Sequence, residues 1–544
     1  MGTEKTKKDG WIFLLGALIY IAAVTWINFH GAQWYNFDMF ADAAVSRRMA
    51  EQHSLFPEGW IFGNQYYVIA TPVVAALFYL ICHNTVLAMA LATTLMYALI
   101  LLSFYWCTKE LFSKTACRIG LFCMAGATIL GDSVSSCTYG FQIFYSMASY
   151  YACYLLVILL HLGIWVRISR RRPVSIPVTV IALLSSFALG IQSPRELLSL
   201  CIPLWLISLL LLLRKKARPQ IRSFEFAAAS LGMNLLGLLF NGFIRRTWEI
   251  QFASNVQSRQ ASFSLSGMLD NMRESFQAFL DLVGLRYLTY NWKWKPIAFL
   301  GIFLLLVCLL AQVDRLRRKE SRGAADPLLF CWLSLLCVFG AGIFVVQVRA
   351  IYYFVWYLLV PLSVASLADS LSRKKRTVLG VAVLLCGALN FVFNFYPDLG
   401  KYAAQCIFYQ EIENWMKENE ISTIYGDYQA PTISAFSGDS ICYSSVFPNL
   451  SAETGENGLI SPYGSPVDVR GYRNVDPEHS VLVLSESPYD SSSGYRYLQE
   501  HASEDYMEAF EKQFSLETDF VSPYITYYIY SFEKPDIFPE GSIP

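Results

Sequence analysis

The chain has 544 residues, of which 55% are hydrophobic and 15% charged, and its 42 Lys and Arg equal its 42 Asp and Glu. Soluble globular proteins carry roughly a quarter charged residues, so this composition excludes both an ordinary soluble enzyme and a disordered chain. The neutral total hides a polarity: from Tyr396 onward there are 24 acidic and 7 basic residues, against 18 and 35 before it. The basic residues are scattered among short connections and form no stripe, so nucleic acid is not an expected partner.

In chain order, apolar runs long enough to cross about 30 Å of hydrocarbon fall near 11–28, 85–107, 117–133, 143–166, 176–192, 197–213, 223–243, 297–313, 328–347, 351–369 and 377–396. Basic clusters at Lys5/Lys7/Lys8, Lys109/Lys114/Arg118, Arg167 to Arg172, Arg214 to Arg222, Arg315 to Arg322 and Arg373 to Arg376 occupy alternate connections. Loops rich in Lys and Arg stay in the cytoplasm. This pattern predicts a multi-pass plasma-membrane protein with a cytoplasmic N-terminus, provided that the run 66–82 is a re-entrant or juxtamembrane helix and not a crossing. Residues 29–65, 132–142, Gln192 to Glu196, 244–296 and the tail then lie outside. Within 244–296, NMRESFQAFLDLVGLRYL has helical apolar spacing and predicts a helix in the interface plane, with Trp292 and Trp294 at the headgroups.

The segment 397–544 has a different texture. QEIENWMKENE, TISAFSG and GYRYLQEH read as helices, while ISTIYGD, ICYSSVF, HSVLVLSE and ITYYIYSFE read as strands, which predicts a small α/β domain. The expected fold is therefore a polytopic α-helical membrane protein of about eleven spans, residues 1–396, with a small α/β extracytoplasmic C-terminal domain, residues 397–544. Most of the 13 cysteines sit inside apolar runs as small hydrophobes. Cys406 and Cys442 are in the tail and could pair, but two cysteines are not a framework, and no CxxC or zinc spacing occurs.

Ionisable residues inside the runs, the mark of an ion or proton path, are scarce, which disfavours secondary transport. Attention falls on the first outer loop, YNFDMFADAAVSRRMAEQHSLFPEGWIFGNQYYVIATP. Asp38 and Asp42 are four residues apart, on one helical face near the membrane surface. A carboxylate there can accept the proton of an attacking hydroxyl; equally, Asp38 can cap the helix FADAAVSRRMAEQ.

This loop resembles that of the GT-C class of membrane glycosyltransferases, the group holding protein O-mannosyltransferases and the lipid A aminoarabinose transferase. The family pattern D-E-x-x-Y-A-x-x-A-R-E-M is similar to Asp38-Met39-Phe40-Ala41-Asp42-Ala43-Ala44-Val45-Ser46-Arg47-Arg48-Met49, and a Gly-x-x-Tyr before a proline-led helix is matched by Gly63 to Tyr66 and Pro72. Farther on, VRAIYYFVWYLLVP, with Arg349, Tyr352, Tyr353 and Pro361, is similar to an Arg-Tyr-rich span start. The likeness covers roughly residues 11–396.

The resemblance implies a sugar donor carried on a polyprenyl phosphate, an extracytoplasmic glycan, lipid or protein acceptor hydroxyl, and Asp38 as the general base. Met39 stands where the family commonly has a second acidic residue, so a second carboxylate is sought among Asp42, Glu58 and Asp132, and a divalent metal remains an open alternative. A departing phosphate needs cations at the outer boundary. Arg349 and Arg195 are the candidates, with headgroup anchoring for Arg349 and pairing with Glu196 for Arg195 as alternatives. Trp60, Tyr66 and Tyr139 are candidates for stacking on a sugar ring. Two other classes remain open, a flippase or transporter of lipid-linked glycans and a non-enzymatic envelope scaffold.

Overall fold

The structure is a computed structural model. It describes residues 10–539 apart from 31–36, 64, 131–150, 215–216, 249, 251–263, 290–291, 293–294, 318–325, 345–348, 393–395, 428–429, 431–432, 435–440, 452–457, 463–466, 473–474, 488–492 and 524, and the backbone alone at 37–41, 396–406, 467–468 and 470.

The amino-terminal part is a helical bundle. Its helices are α1 (Trp11–His30), α2 (Phe37–Gln52), α3 (Thr71–Cys82), α4 (Thr85–Thr108), α5 (Lys114–Phe122), α6 (Tyr151–Ser169), α7 (Ile176–Gln192), α8 (Ile202–Arg214), α9 (Arg218–Thr247), α10 (Leu265–Leu282), α11 (Lys295–Arg317), α12 (Pro327–Gly342), α13 (Trp356–Ser370) and α14 (Arg373–Asn390). Among the described residues, seven segments are long and apolar enough to cross a membrane: α1, α4, α6, Leu197–Arg214, α9, α11 and Ala350–Ser370. The apolar helices α3, α7 and α12 are shorter. At about 1.5 Å per residue the twelve residues of α3 reach roughly 18 Å, well short of a hydrocarbon core of about 30 Å.

Local sequence explains where these helices begin and which of them lie at the centre. Pro72 occupies the first turn of α3, where its missing N–H is not needed. Asn84 Oδ1 accepts from Leu87 N at 2.8 Å and starts α4. From Trp356 to Ala368 every side chain of α13 is buried, and almost all of α6 is buried too, as expected of helices that are apolar on every face. The basic ends predicted to be cytoplasmic are partly neutralised: Glu110 pairs with Arg167 at 2.9 Å and Arg315 with Asp326 at 2.9 Å. Asp326 also caps α12 through Leu328 N.

Beyond the bundle, α15 (Tyr396–Glu418) leads into a six-stranded sheet. Its strands are β2 (Thr423–Gly426), β3 (Cys442–Pro448), β4 (Ile460–Pro462), β6 (Ser480–Glu486), β7 (Ser515–Val521) and β8 (Thr526–Ser531), in the order β4-β3-β2-β6-β8-β7. The centre, β3-β2-β6, is parallel and the flanks are antiparallel. Helices α16 (Gly494–His501) and α17 (Glu504–Gln513) complete the layer. The predicted helix TISAFSG lies largely outside the described residues. Cys442 is an exposed free thiol, so the pairing considered for it is not formed.

The tail is hooked to the first loop of the bundle. Strand β1 (Trp60–Ile61) pairs antiparallel with β5 (Val467–Asp468), Trp60 opposite Asp468 and Ile61 opposite Val467, and Val469 N–H donates to Gly59 O at 3.0 Å. The two side chains of β1 point to opposite faces, as a strand requires: Trp60 packs in the bundle core and Ile61 in the core of the tail. Ile61→Asp should therefore put a carboxylate into an apolar core, at a cost on the order of several kcal/mol, and release the tail. Limited proteolysis should then cut the 397–422 connection faster than in the unaltered chain.

Candidate functional site

The first loop gathers the candidate residues because it is held at both ends. Helix α2 packs on α3 and α4 through small residues, with Ala43, Ala75, Met89 and Ala92 forming one buried cluster. Asp38 is on the first turn of α2, and its side chain lies outside the described residues. Asp42 is one turn farther on and fully buried, and its carbonyl accepts from Ser46 Oγ at 2.6 Å. On the other face of α2, Glu51 pairs with Arg47 at 2.6 Å and Arg48 at 2.9 Å. Burial pushes the Glu51 carboxyl up, but these two guanidinium groups outweigh it and hold the group below the usual carboxylate range. Glu58 is exposed, its backbone clasped by Gln52. Asp132 and Tyr139 lie outside the described residues.

After β1 the chain crosses to the turn that joins α7 to the π-helical turn Leu197–Cys201. Gln192, at the end of α7, accepts from Val68 N at 3.0 Å and Ile69 N at 3.4 Å. Gln65, buried at 2% exposure, accepts at Oε1 from Arg195 and from the Tyr154 hydroxyl, the latter at 3.3 Å. The predicted alternative for Arg195 was its neighbour Glu196. That carboxyl group is instead hydrogen-bonded with Ser186 and Asn234.

The guanidinium of Arg195 lies 5.3 Å from the Tyr151 ring and 5.8 Å from the Tyr352 ring. These residues, with Leu198, Val338 and Phe354, line a cavity of about 170 Å³ whose wall is mainly apolar. Arg349 precedes the 3-10 turn Ala350–Tyr353 and is exposed, and both Arg349 and Arg195 act electrostatically on Tyr151. Arg195 therefore stands at an apolar cleft, and Arg349 lies within electrostatic range of Tyr151 without lining the cavity. Chemically, such a site suits an amphiphile with an anionic head: the wall accepts hydrocarbon, while the Arg195 guanidinium offers planar donors to phosphate or carboxylate oxygens.

The aromatic candidates are placed differently. Trp60 is 5% exposed and Tyr66 fully buried, Tyr66 lying edge-on to Phe56 and Phe62. Arg245 sits 5.7 Å from the Tyr66 ring. Burial raises the Tyr66 phenol, against the lowering effect of Arg245. Among the described residues no group of three or more His, Cys, Asp and Glu side chains is placed to hold a metal ion.

What sequence reasoning missed is polar and internal. Gln65, Gln192, Asn234, Ser186 and His161 are all buried. Gln192, Ser186, His161 and Asn234 fall inside apolar runs, where a polar residue is costly unless paired. That rarity was the available signal.

The turn carrying Arg195 is fixed by the approach of α7 to α9. A Cβ on Gly190 would lie 2.2 Å from Asn234 O, and one on Gly237 would lie 2.1 Å from Phe187 O. The backbones thus touch where no side chain fits, and Asn241 Nδ2 donates to Ile191 O beside the crossing. The chain matches no model of a known protein family and no curated protein. Gly237→Ala should force α7 and α9 apart and destabilise the bundle by about 1–3 kcal/mol, read as a lowered Tm in detergent together with faster proteolysis near the 193–196 turn.

Proposed function

We propose that this chain is a membrane glycosyltransferase that moves a sugar from a polyprenyl phosphate to an extracytoplasmic acceptor hydroxyl. The observation that supports it best is the guanidinium of Arg195 held against Tyr151 and Tyr352 at a mainly apolar cleft, with Arg349 within electrostatic range of Tyr151. Arg195 is in turn tied by Gln65 to the loop that leads from α2 and Asp38.

In this reading the polyprenyl chain lies along the apolar wall and the phosphate meets the guanidinium groups. The acceptor oxygen attacks the anomeric carbon and its proton passes to the Asp38 carboxylate. The bond from the anomeric carbon to the phosphate oxygen breaks, the configuration inverts, and the phosphate leaves as an anion stabilised by Arg195 and Arg349. Gln65 and Tyr151 orient Arg195, and the buried wall excludes water that would otherwise compete as acceptor.

The topology belongs to the same proposal. Eleven crossings put the basic connections in the cytoplasm and leave the α2 loop, the Arg195 turn, Arg349 and the tail outside. The pairing of β1 with β5 supports a shared side for the first loop and the tail, because a strand pair cannot form across a bilayer. The tail would then stand over the first loop, in position to meet an acceptor.

Two substitutions test the reading in proteoliposomes supplied with polyprenyl-phosphate sugars and scored by product mass. Asp38→Asn should lower transfer by about 10²–10⁴-fold while the chain stays folded. A well-folded, fully active variant would remove Asp38 as the base, and lipid movement without a change in glycan mass would indicate a flippase. Arg349→Ala should weaken polyprenyl phosphate binding more than Arg349→Lys does, whereas no loss in either would leave Arg349 as a headgroup anchor.

A further inference from the structure

Directly behind the Arg195 turn lies a polar network with no part in the steps above. Glu196, Ser186, His161 and Asn234 are each fully buried, and they come from four pieces of the bundle: the turn before α8, α7, α6 and α9. The Ser186 hydroxyl is 2.9 Å from Glu196 Oε1 and 3.1 Å from His161 Nε2. Asn234 Nδ2 donates to Glu196 Oε2 at 2.7 Å and to Ser186 O at 3.1 Å. His161 Nδ1 is 2.9 Å from Val157 O, and the Phe226 ring stands 5.5 Å from the imidazole. Ionisable side chains so deep among apolar helices are costly and, as a rule, functional.

Hydrogen counting restricts the states of this network. A carbonyl oxygen only accepts, so His161 Nδ1 carries a hydrogen and donates to Val157. Two arrangements then satisfy Glu196, Ser186 and His161, with the Cys201 thiol beside Ser186 as a weaker contact and Asn234 Oδ1 outside the count. In one, protonated Glu196 donates to the Ser186 oxygen and Ser186 donates to the neutral imine Nε2 of His161. In the other, His161 is an imidazolium whose Nε2–H donates to Ser186, and Ser186 donates to the Glu196 carboxylate. They interconvert when the Glu196 proton moves to the Ser186 oxygen as the Ser186 proton moves to His161, with no other reactant and no change in net charge. One more proton would leave the Ser186 hydrogen without an acceptor in the network; one fewer would leave two acceptors competing for a single hydrogen. In a dry interior either defect is expensive.

From this we infer that Glu196, Ser186 and His161 share one labile proton, and that the neutral triad makes Glu196 the positioning residue of the Arg195 turn. An ionised glutamate next in sequence to Arg195 would draw the guanidinium toward itself. Here the carboxyl is turned inward, held by Ser186 and Asn234, and balanced by a proton kept within the triad. Other titratable groups near it are the thiols of Cys153 and Cys201, which are within electrostatic reach of Glu196, and Arg195 itself. Helix α7 has no titratable residue, and those of α9 stand toward its ends. The positioning role rests on the lipid reading of the Arg195 cleft; the shared proton does not.

The test uses the full chain, labelled with ¹⁵N-histidine and reconstituted in phosphatidylcholine vesicles, with the His161 signals assigned through His161→Gln. Between about pH 5 and about pH 8, where an ordinary histidine titrates, His161 should keep one pattern with Nδ1 protonated. Glu196→Gln should lock the imidazole neutral, because the amide NH₂ can donate to Ser186 while its oxygen accepts from Asn234. Ser186→Ala should move Nε2 to the shift of an unbonded imine nitrogen. Ordinary titration of His161 in the unaltered chain, or no response to Ser186→Ala, overturns the shared proton. With polyprenyl phosphate as the probe, Glu196→Ala should weaken binding at least about tenfold while Glu196→Gln stays within about threefold. Equal loss in both overturns the positioning role. If the unaltered chain binds no polyprenyl phosphate, the lipid reading and the positioning role fall together, and the spectra alone sustain or overturn the shared proton.

Discussion

Two glycines let α7 and α9 touch backbone to backbone, and the polar interior is organised around that contact. At Gly190 and Gly237 any Cβ would meet a carbonyl oxygen near 2 Å, so the spacing exists only because these residues have no side chain. The approach brings Asn234 within reach of Ser186 and Glu196 and Asn241 within reach of Ile191. Farther along, it sets where α7 must end, and therefore where Gln192 and Arg195 stand. Small residues that allow close backbone approach, with polar side chains bonding between helices, are the usual means of joining helices when the surroundings are as apolar as the interior.

The first loop links what would otherwise be two independent bodies. Through Gln65, Val68 and Ile69 it is fastened to the end of α7, and through β1 to the tail. Trp60 and Ile61, adjacent in sequence, serve different cores.

Much of the fold was legible because the periodicity of apolar residues is a local property. The described parts of the eleven predicted runs are helical over most of their length, Pro72 leads α3 as expected, Pro361 lies within a helix that follows the Arg349 and Tyr352 segment, and the strands ISTIYGD, ICYSSVF, HSVLVLSE and ITYYIYSFE are present. Elements with weaker patterns were missed. Helix α17 is polar, and its start was marked only by the Ser503 cap and the acids Glu504 and Asp505. Strand β7 is largely exposed and lacks a buried alternation, while β1 and β5 are two residues each and exist only because they find one another.

The sequence by itself determined the two-part organisation, the helical character of the first part, the charge polarity between the parts, and the residue types available for binding an anion. These follow from composition and short-range pattern, which burial and backbone hydrogen bonding act on directly. Which way Glu196 turns, that Arg195 stands against Tyr151 and Tyr352, that Gln65 reaches Arg195 across 130 positions, and that β1 joins the tail were decided only by the tertiary structure. Each depends on contacts between separate elements of the fold, which no local pattern of the sequence singles out.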